Sequence, residues 1–554
     1  MVFMAEHASP IRDIRRRLKQ LRADRASWDG HWRELRDHVS PWSGNFADQG
    51  ERANDGGKKA DPIESAGREA LRVMASGMQG GLTPRSVRWF GLKTRDPRVR
   101  DLPGAGAWLD ECTQLILDIL ARSNFYHVQG QVYESLGLFG TAAMYVEDDF
   151  DSVVRFKFLS TGEYWIADNW KGEVDTLIRI FQVTARNVAE EFGEERCSLQ
   201  TRNLARENPD QYVTLVHAVL PRPGGRPDAA NPRDLPFASY YFEESASSDV
   251  SDVSDASGGA PLLRESGYRS FPFLVPRWQV RGADAYGHSP AMDALGDVKM
   301  AREMLIDVVG MVNNITHPPL QAPQGVEMSG VNMDAGTVTY VADMRQGEIK
   351  PILTTEYNVQ NVQAVVREVE DKIRRAFHYD IFMMFAGDDK TMTATEIMER
   401  RQERLTQLGP VLERMQTEIF GPLINRVFER CAAAGILPPV PKGLPPGTDI
   451  EVEYTSALSQ AQNLSRITDM QRFVGQLGQV AQVKPEVLDL LDEDRLTRRF
   501  AEYLNVPPDI LREREDVDAL RRERAERRQM MQAAESMAKA ASDMAAAGPP
   551  EAQA

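Results

Sequence analysis

The most regular hydrophobic pattern of the chain lies in residues 290–316, where apolar residues recur at intervals of three and four. The stripe consists of Ala291, Leu295, Val298, Leu305, Val308, Val309, Val312 and Ile315. This spacing predicts one long amphipathic helix. Ser289 suits the N-cap and Pro290 the first turn. His317 precedes Pro318 and is therefore biased out of the helical conformation, which predicts the end of the helix.

A second helix with the same kind of stripe is predicted at 357–378, with Asn358 as a candidate N-cap. Its apolar positions are Val359, Val362, Val366, Val369, Ile373 and Phe377. The stretch between the two helices is short and rich in Gly and Pro, with one predicted strand at Thr337–Val341. The chain therefore makes a helix, a small element and a returning helix.

The region before this helix pair is predicted to be helical in its first part and rich in strands in its second part. It begins with a charged helix that is predicted to run, with breaks, from Ser9-Pro10 to Ser40-Pro41. Two helical stretches follow, at 63–84 and from about 105, the latter with a possible break near Ser123-Asn124. Alternating apolar and polar residues then predict a strand-rich region at 142–280. Within it, residues 245–261 are a Ser- and Asp-rich loop with almost nothing to bury.

The region after the pair is predicted to contain a long helix at 395–435. Gly409-Pro410 and Gly421-Pro422 interrupt its stripe, and proline inside a helix removes a hydrogen bond, so kinks are expected at both pairs. A Pro-rich linker, a strand at 448–458 and a helix at 460–483 follow. The polar end of the chain predicts one more helix. The fold class is thus α+β and mainly helical.

Composition narrows the possibilities further. With 554 residues, 42% hydrophobic and 27% charged, the chain is long enough for several domains. Its three cysteines are far apart and suit neither zinc nor a disulfide framework. The first twenty residues lack the apolar segment of a signal peptide, and no run of eighteen apolar residues exists. The net charge of −16 argues against a protein that grips nucleic acid tightly along its surface.

Motifs for catalysis are missing. Lys390-Thr391 resemble the end of a phosphate-binding loop, but Asp389 stands where that motif needs glycine. There is no Gly-x-Ser-x-Gly and no His-Glu-x-x-His. We therefore expect no enzyme activity and no cofactor. The carboxylates Glu147, Asp148, Asp149 and Asp151 have the chemistry to hold a divalent cation. A solvated turn between two strands explains them more simply, so no metal site is predicted.

Several stretches of the chain, taken in order, resemble the portal proteins, or head-to-tail connectors, of short-tailed bacteriophages. They include "ESAGREALRVMASGMQGGLTPRSVRWFGL", "FLSTGEYWIADNWKGEVDTLIRIFQVTARNVAEEFG", "ESGYRSFPFLVPRWQVRGADAYGHSPAMDALGDVKMAREM" and "ATEIMERRQERLTQLGPVLERMQTEIFGPLINRVF". The likeness covers roughly residues 10 to 510. The loop at 245–261 has no counterpart in it.

This resemblance implies a subunit of a ring, usually of twelve copies, at one vertex of a capsid. It divides the chain into a wing (1–287), a first stem helix (288–317), a clip (318–355), a second stem helix (356–378) and a tunnel loop (379–394). A long kinked helix (395–435), a return to the wing (436–490) and a C-terminal crown (491–554) complete the subunit. The implied location is the portal vertex of a virion, after assembly in the host cytoplasm.

The resemblance also implies partners and site residues. Double-stranded DNA would pass through the ring, and the packaging terminase, a tail adaptor and the capsid and scaffold proteins would contact it. The expected tunnel-loop residues facing the bore are Gly387, Asp388, Asp389, Lys390 and Thr391. The expected basic residues of the channel or stem wall are Lys299, Arg302, Lys372, Arg374 and Arg375. An acidic bore with sparse Lys and Arg would let a duplex slide, because a basic one would hold it.

Two other interpretations of the sequence stay open. A capsid scaffold or another virion protein is one, although a scaffold would be nearly all helix and the strands at 150–280 argue against it. A metal-dependent nuclease that uses Glu147 and Asp149 is the other.

Overall fold

The structure, a computed structural model, describes residues 10–46, 64–94, 104–244, 262–317, 320–321, 350–351, 359–386, 408–441, 443–445, 450–455, 470–480, 491–503 and 514–546, together with residues 96, 99, 102, 467, 484 and 512. The named α-helices are α1 (Pro10–His38), α2 (Ala66–Leu82), α3 (Ala105–Arg122), α4 (Phe125–Phe139), α5 (Ala185–Phe192), α6 (Leu199–Glu207), α7 (Pro290–Thr316), α8 (Val359–Ala376), α9 (Tyr379–Ala386), α10 (Gly421–Ala434), α11 (Glu493–Tyr503) and α12 (Arg514–Ala546). The strands are β1 (Phe90–Thr94), β2 (Ala143–Asp149), β3 (Val153–Leu159), β4 (Tyr164–Asp168), β5 (Val174–Thr184), β6 (Tyr212–Pro221), β7 (Phe237–Glu243), β8 (Leu262–Tyr268), β9 (Phe273–Leu274), β10 (Leu320–Gln321), β11 (Lys350–Pro351) and β12 (Ile450–Tyr454).

The mixture of helices and sheets confirms the predicted α+β class. The chain divides into two compact units, one made of residues 1–87 and 118–435 and the other of residues 88–117 and 436–554. In the second unit, β1 pairs antiparallel with β12, so a segment near the start joins the C-terminal part of the chain. Within the described ranges, no helix is long and apolar enough to cross a lipid bilayer. All three cysteines are buried and none forms a disulfide.

The main sheet of the first unit has five antiparallel strands in the order β4-β5-β6-β7-β8. One face packs against α1, whose Ile14, Leu18 and Leu21 lie on Ile178 and Val216. The other face is covered by α5 and α6. A smaller sheet, β3-β2-β9, lies in the same unit. The sequence did not predict β8 or α6, because both are polar and lack clear periodicity.

The first helix, α1, is continuous from Pro10 to His38, so the expected breaks are wrong. The apolar stripe looks interrupted because Arg25 occupies a core position. Its guanidinium is buried and donates to the main-chain oxygens of Gly162 (3.1 Å) and Tyr164 (2.5 Å), and its Nε lies 2.9 Å from Asp29 Oδ1. The buried charge therefore has polar partners inside the protein.

Residues 271–280 end the region that was expected to be rich in strands, but only Phe273 and Leu274 among them form a named strand. Pro272 and Pro276 have no N–H to give to a ladder, so the strand is confined to the short stretch between them. Their carbonyl oxygens still accept hydrogen bonds, from the amides of Val146 (3.0 Å) and Ala142 (3.1 Å).

The helix predicted at 395–435 is described only from residue 408 onward, so Gly409-Pro410 lies at the edge of the described part. At Gly421-Pro422 the structure has one π-helical turn, Gln416–Phe420, directly before α10. Pro422 removes one backbone donor, and a π-helical turn is a known response to a broken hydrogen-bond ladder. The strand predicted at Thr337–Val341 lies outside the described residues.

Candidate functional site

The start of helix α7 is fixed to the end of α4 by close backbone contacts. Gly140 ends α4 with φ +75°, and a Cβ there would lie 2.2 Å from the carbonyl oxygen of Gly287, so both helix ends approach closely only because these residues are glycine. The Ser289 hydroxyl donates to the oxygen of Leu138 (2.9 Å) and accepts from the amide of Met292 (3.1 Å). The predicted cap is therefore formed and also anchors the helix.

Helices α7 and α8 pack against each other and run antiparallel. Asp293 is in the first turn of α7, and His378 follows the last turn of α8. The two residues are near each other, because burial lowers the pKa of His378 while the charge of Asp293 raises it. His378 has φ +53°, a left-handed conformation that non-glycine residues adopt infrequently, and its ring stacks on Trp278 with centroids 6.2 Å apart. The chain turns sharply here and enters α9.

Short α9 lies against α2. Its Ile381 and Phe382 are buried, and a Cβ added to Gly77 of α2 would lie 2.5 Å from the Cβ of Phe382. Gly77 therefore allows α2 and α9 to approach closely. Residues 379–386 were expected to begin a tunnel loop, and the structure has them in a helix.

The two halves of α7 differ in burial. In the basal half of α7, residues 290–302, the side chains of Ala291, Leu295 and Val298 are buried. The outer half is residues 303–316. In the outer half, apolar side chains are in water: Ile306, Val309 (62% exposed), Val312 and Ile315. Residues 303–316 also carry two acidic and no basic side chains, Glu303 and Asp307. Alternation of apolar and acidic side chains gives this half of the helix a surface that is apolar and weakly negative.

The five basic residues expected in the channel or stem wall lie in the basal part of the helix pair. Lys299 contacts Glu34 of α1 (3.0 Å), and Arg302 is half-buried beside His38. In α8, Lys372 contacts Glu368 (3.4 Å), while Arg374 contacts Glu370 (3.6 Å) and Asp371 (3.2 Å). Arg375 is exposed. Most of these charges are thus offset by a carboxylate on the same or a neighbouring helix.

Histidines lie around the contact between α1 and α7. Burial lowers the pKa of His31 and of His38, and the charge of Lys299 lowers both further. Donation from Lys299 lowers the pKa of Glu34, which keeps that carboxylate charged. His288 Nε2 lies 2.9 Å from Asp293 Oδ1.

Other predicted site residues lie outside the described part of the chain. These are the tunnel-loop residues Gly387, Asp388, Asp389, Lys390 and Thr391, and nearly all of the clip at 318–355, of which only the paired strands β10 and β11 are described.

The acidic cluster at 147–151 has partners of its own. Glu147 contacts Lys157 (2.7 Å), Asp148 contacts Arg430 (2.9 Å), and Asp149 accepts from the hydroxyl of Ser152 (2.6 Å). That hydrogen bond lowers the pKa of Asp149. In the described part of the chain no group of acidic, histidine and cysteine side chains is arranged to hold a metal ion.

A buried ion pair lies next to the π-helical turn, and no sequence pattern had indicated it. Arg277 is 2% exposed, and its guanidinium donates to Glu418 Oε1 through Nη2 (2.7 Å) and Nε (3.1 Å). The same Nη2 donates to the oxygen of Gly172 (2.6 Å) in the β4–β5 turn. The two charges are 141 residues apart in sequence, so a local pattern could not reveal their contact.

Known proteins of one kind are similar to this chain over nearly its whole length. The family described as "Bacteriophage head to tail connecting protein" matches residues 12–511. The "Probable portal protein" of Bordetella phage BPP-1 is 40% identical over 519 residues, which are 93% of this chain and 91% of that protein. The "Portal protein" of Salmonella phage epsilon15 is 34% identical over 526 residues, which are 94% of this chain and 92% of that protein.

Among solved structures, a chain from the neck of an empty gene transfer agent particle matches with a TM-score of 0.37 and 10% identity. The match covers 73% of this chain and 86% of that one. Similarity this low supports no conclusion about function.

Proposed function

Because the chain belongs to the bacteriophage head-to-tail connecting protein family, and so is a phage portal protein, we propose that it forms the ring at the portal vertex of a virion. Double-stranded DNA enters the capsid through this ring during packaging and leaves through it during ejection. In this proposal the protein has a structural role and performs no catalysis.

The observation that carries the proposal is the exposed apolar surface on the outer half of α7. Three valine and isoleucine side chains at 309, 312 and 315 are 62%, 45% and 52% exposed. Full burial of an exposed apolar side chain of this size stabilises a protein by about 1.5–3 kcal/mol, so each of these half-exposed side chains would contribute roughly half of that amount. Contact with the helix pairs of neighbouring subunits would bury these side chains, and a head-to-tail contact whose rotation closes produces a ring.

The subunit number we propose is twelve, as in the portals that the sequence resembles. The clip at 318–355 would protrude from the helix pair and contact the packaging terminase first and a tail adaptor later. The wing would meet the capsid and scaffold proteins. The ring would assemble in the host cytoplasm before the capsid closes.

The charge pattern of α7 and α8 supports passage of DNA. The outer half of α7 has acidic but no basic side chains, and the basic residues of the helix pair mostly have carboxylates beside them. A duplex in such a bore would release few counterions and so would bind weakly. The tunnel loop at 387–391 would add two aspartates and one lysine per subunit at the narrowest point.

Ring assembly is tested by placing charge in the apolar surface. The double variant Val309→Asp, Val312→Asp keeps both side chains compatible with an isolated helix but makes burial between subunits costly. Leu199→Asp is the matched control, because Leu199 is also exposed (68%) but lies on α6.

Light scattering measures the result. The unmodified protein and Leu199→Asp should give particles of roughly twelve times the 62.1 kDa chain mass. The double variant should give mainly monomers with unchanged helix content. Normal particles of the double variant would refute the assignment of this surface to subunit contact.

The channel is tested separately with Asp388→Lys, Asp389→Lys in assembled heads. Rings should form normally, while DNA retention should rise at low salt and return to normal at high salt, because the added contacts are screened. Retention and packaging equal to those of the unmodified protein at both salt concentrations would remove these residues from the channel.

A further inference from the structure

The N-terminal half of α1 has a surface charge opposite to that of the whole chain. Residues 10–23 contain six Lys and Arg side chains and one Asp, a net charge of +5, in a chain of net charge −16. The basic side chains are Arg12, Arg15, Arg16, Arg17, Lys19 and Arg22. None of these residues belongs to the helix pair proposed to line the channel.

Three of these basic residues form one line on the side of α1 that faces away from the sheet. Arg12, Arg16 and Lys19 are spaced four and three residues apart and are all exposed, whereas Leu18 and Leu21 point into the core. The line is about 10 Å long. Arg16 has Asp13 at 3.1 Å, both largely in water, so this pair neutralises little of the positive surface.

Neighbouring basic residues extend the surface around the helix. The guanidinium of Arg22 lies over the ring of Trp165 with its carbon 5.2 Å from the ring centroid, and that of Arg15 lies 5.9 Å from the ring of Phe242. Stacking on the Trp165 ring holds the Arg22 guanidinium in place without neutralising it. Part of the positive charge is therefore fixed by the fold.

The chemistry of the partner can be inferred from the composition of this surface. Protein interfaces are held mainly by a few anchors, chiefly Trp, Tyr and Arg, that are buried together in well-packed pockets with apolar surroundings. In the described part of α1, no large apolar side chain is exposed. Binding to phosphates needs no such anchor, because it is driven by charge neutralisation and counterion release. Arginine, which makes up five of the six basic side chains, also pairs with phosphate through two hydrogen bonds.

We propose that this surface, the α1 basic surface of residues 12–22, binds the phosphate backbone of double-stranded DNA outside the channel. A duplex carries one charge per about 1.7 Å of its axis, so a line of about 10 Å meets several phosphates. The contact is independent of base sequence, since it reads only the backbone. It would hold packaged DNA against the body of the subunit, and it does not depend on the identity of the bore residues.

The experiment uses assembled full-length protein and a covalently closed circular duplex, which cannot thread an intact ring. Binding is measured by fluorescence anisotropy of a labelled minicircle over a range of about 50 to 300 mM salt. The variant is Arg12→Gln, Arg16→Gln, Lys19→Gln. The matched control, Arg186→Gln, Arg196→Gln, Arg206→Gln, removes the same charge from exposed positions on and beside α5 and α6, where glutamates are interspersed.

The unmodified protein should bind the minicircle with strong salt dependence. The α1 variant should bind at least about tenfold more weakly at about 100 mM salt, and the slope of log K against log salt should be shallower by about 3. The control should stay within about twofold, because the glutamates around its arginines already repel phosphates.

Four results would overturn the proposal. They are absence of minicircle binding at low salt, unchanged binding by the α1 variant, equal weakening by the control, and displacement of the minicircle by poly-glutamate at lower charge concentration than by unlabelled duplex. The last result would assign the surface to an acidic protein partner.

Discussion

Loss of the Glu418 charge should destabilise the first compact unit more than any exposed charge change nearby. The replacement Glu418→Gln keeps the shape of the side chain but leaves Arg277, which is 2% exposed, beside a neutral amide. The nearest remaining carboxylate is Asp168, whose Oδ2 lies 3.8 Å from Nη1 of Arg277. Removing one partner of a buried pair costs about 3–5 kcal/mol, and Asp168 places the expected value near the lower end of that range.

The corresponding change in melting temperature depends on the size of the unit. For roughly 400 residues the entropy of unfolding is about 0.8 kcal/mol/K, so a loss of about 3–5 kcal/mol lowers the melting temperature by about 4–6 °C. Arg414 is the control, because it also contacts Glu418 Oε1 (2.8 Å) but is 32% exposed. Arg414→Gln should cost about 0–1 kcal/mol and so lower the melting temperature by about 1 °C or less.

Differential scanning calorimetry at fixed scan rate measures both variants. The double replacement Arg277→Met, Glu418→Met should recover most of the loss, because it removes both buried charges together. If Glu418→Gln and Arg414→Gln shift the melting temperature equally, or if the double replacement is worse than Glu418→Gln, the buried pair is not the source of the stability.

Three further results are expected from the same structure. Gly77→Ala should destabilise the first unit by about 1–3 kcal/mol, because the added methyl group would clash with α9. Gly80→Ala, at an open position of the same helix, should stabilise the unit by up to about 1 kcal/mol. Urea unfolding measures both changes. Burial lowers the pKa of His217 well below its ordinary value, so the unfolded chain binds a proton first and stability is lost as pH falls below about 6.5, by up to about 1.4 kcal/mol per pH unit. His217→Gln should make this pH dependence shallower, leaving the part that the partly buried His31 and His38 contribute, and the exposed control His127→Gln should leave it unchanged. Urea midpoints measured at about pH 7.5, 6 and 5 would show the difference. Limited proteolysis of intact rings should cut first within residues 245–261, as the composition of that loop predicts; earlier cuts in α7 would contradict the proposed burial of that helix.

Local signals sufficed for α7, although not for the continuity of α1. The range of α7 is determined by the spacing of its apolar residues, by the hydroxyl of Ser289 and by the proline after His317, all of which act within a few residues. The same holds for the break between α3 and α4 near Ser123 and Asn124. Interactions of this kind are determined by neighbours in sequence, so a single sequence contains them.

Features that depend on distant residues could not be predicted in this way. Arg25 lies in the apolar stripe of α1 because carbonyls 137 and 139 residues away accept its hydrogen bonds. Arg277 and Glu418 meet across 141 residues. Arg426 is buried because the oxygens of Ser270 (3.3 Å) and Val146 (3.3 Å) accept from it. In each case a charged residue occupies a core position that its own sequence neighbourhood would assign to solvent.

In the candidate site, too, features set by sequence neighbours could be predicted and features set by distant residues could not. The apolar stripe of α7 was visible in the sequence, but its division into a buried basal half and an exposed outer half was not, since burial of the basal half depends on α1, α2 and α4. Some ion pairs of the stem-wall cations join residues close in sequence, such as Lys372 and Glu368, which are four residues apart. Others join residues far apart in sequence, such as Lys299 and Glu34, and could not be predicted from local patterns.

Electron cryomicroscopy of the purified full-length protein would test ring formation by this portal protein most directly. We predict a closed ring with an axial hole wide enough for duplex DNA, with α7 and α8 of each subunit forming the wall and Val309, Val312 and Ile315 buried between subunits. A monomer, an open filament, or a ring in which these three side chains remain in water would contradict the proposed assembly.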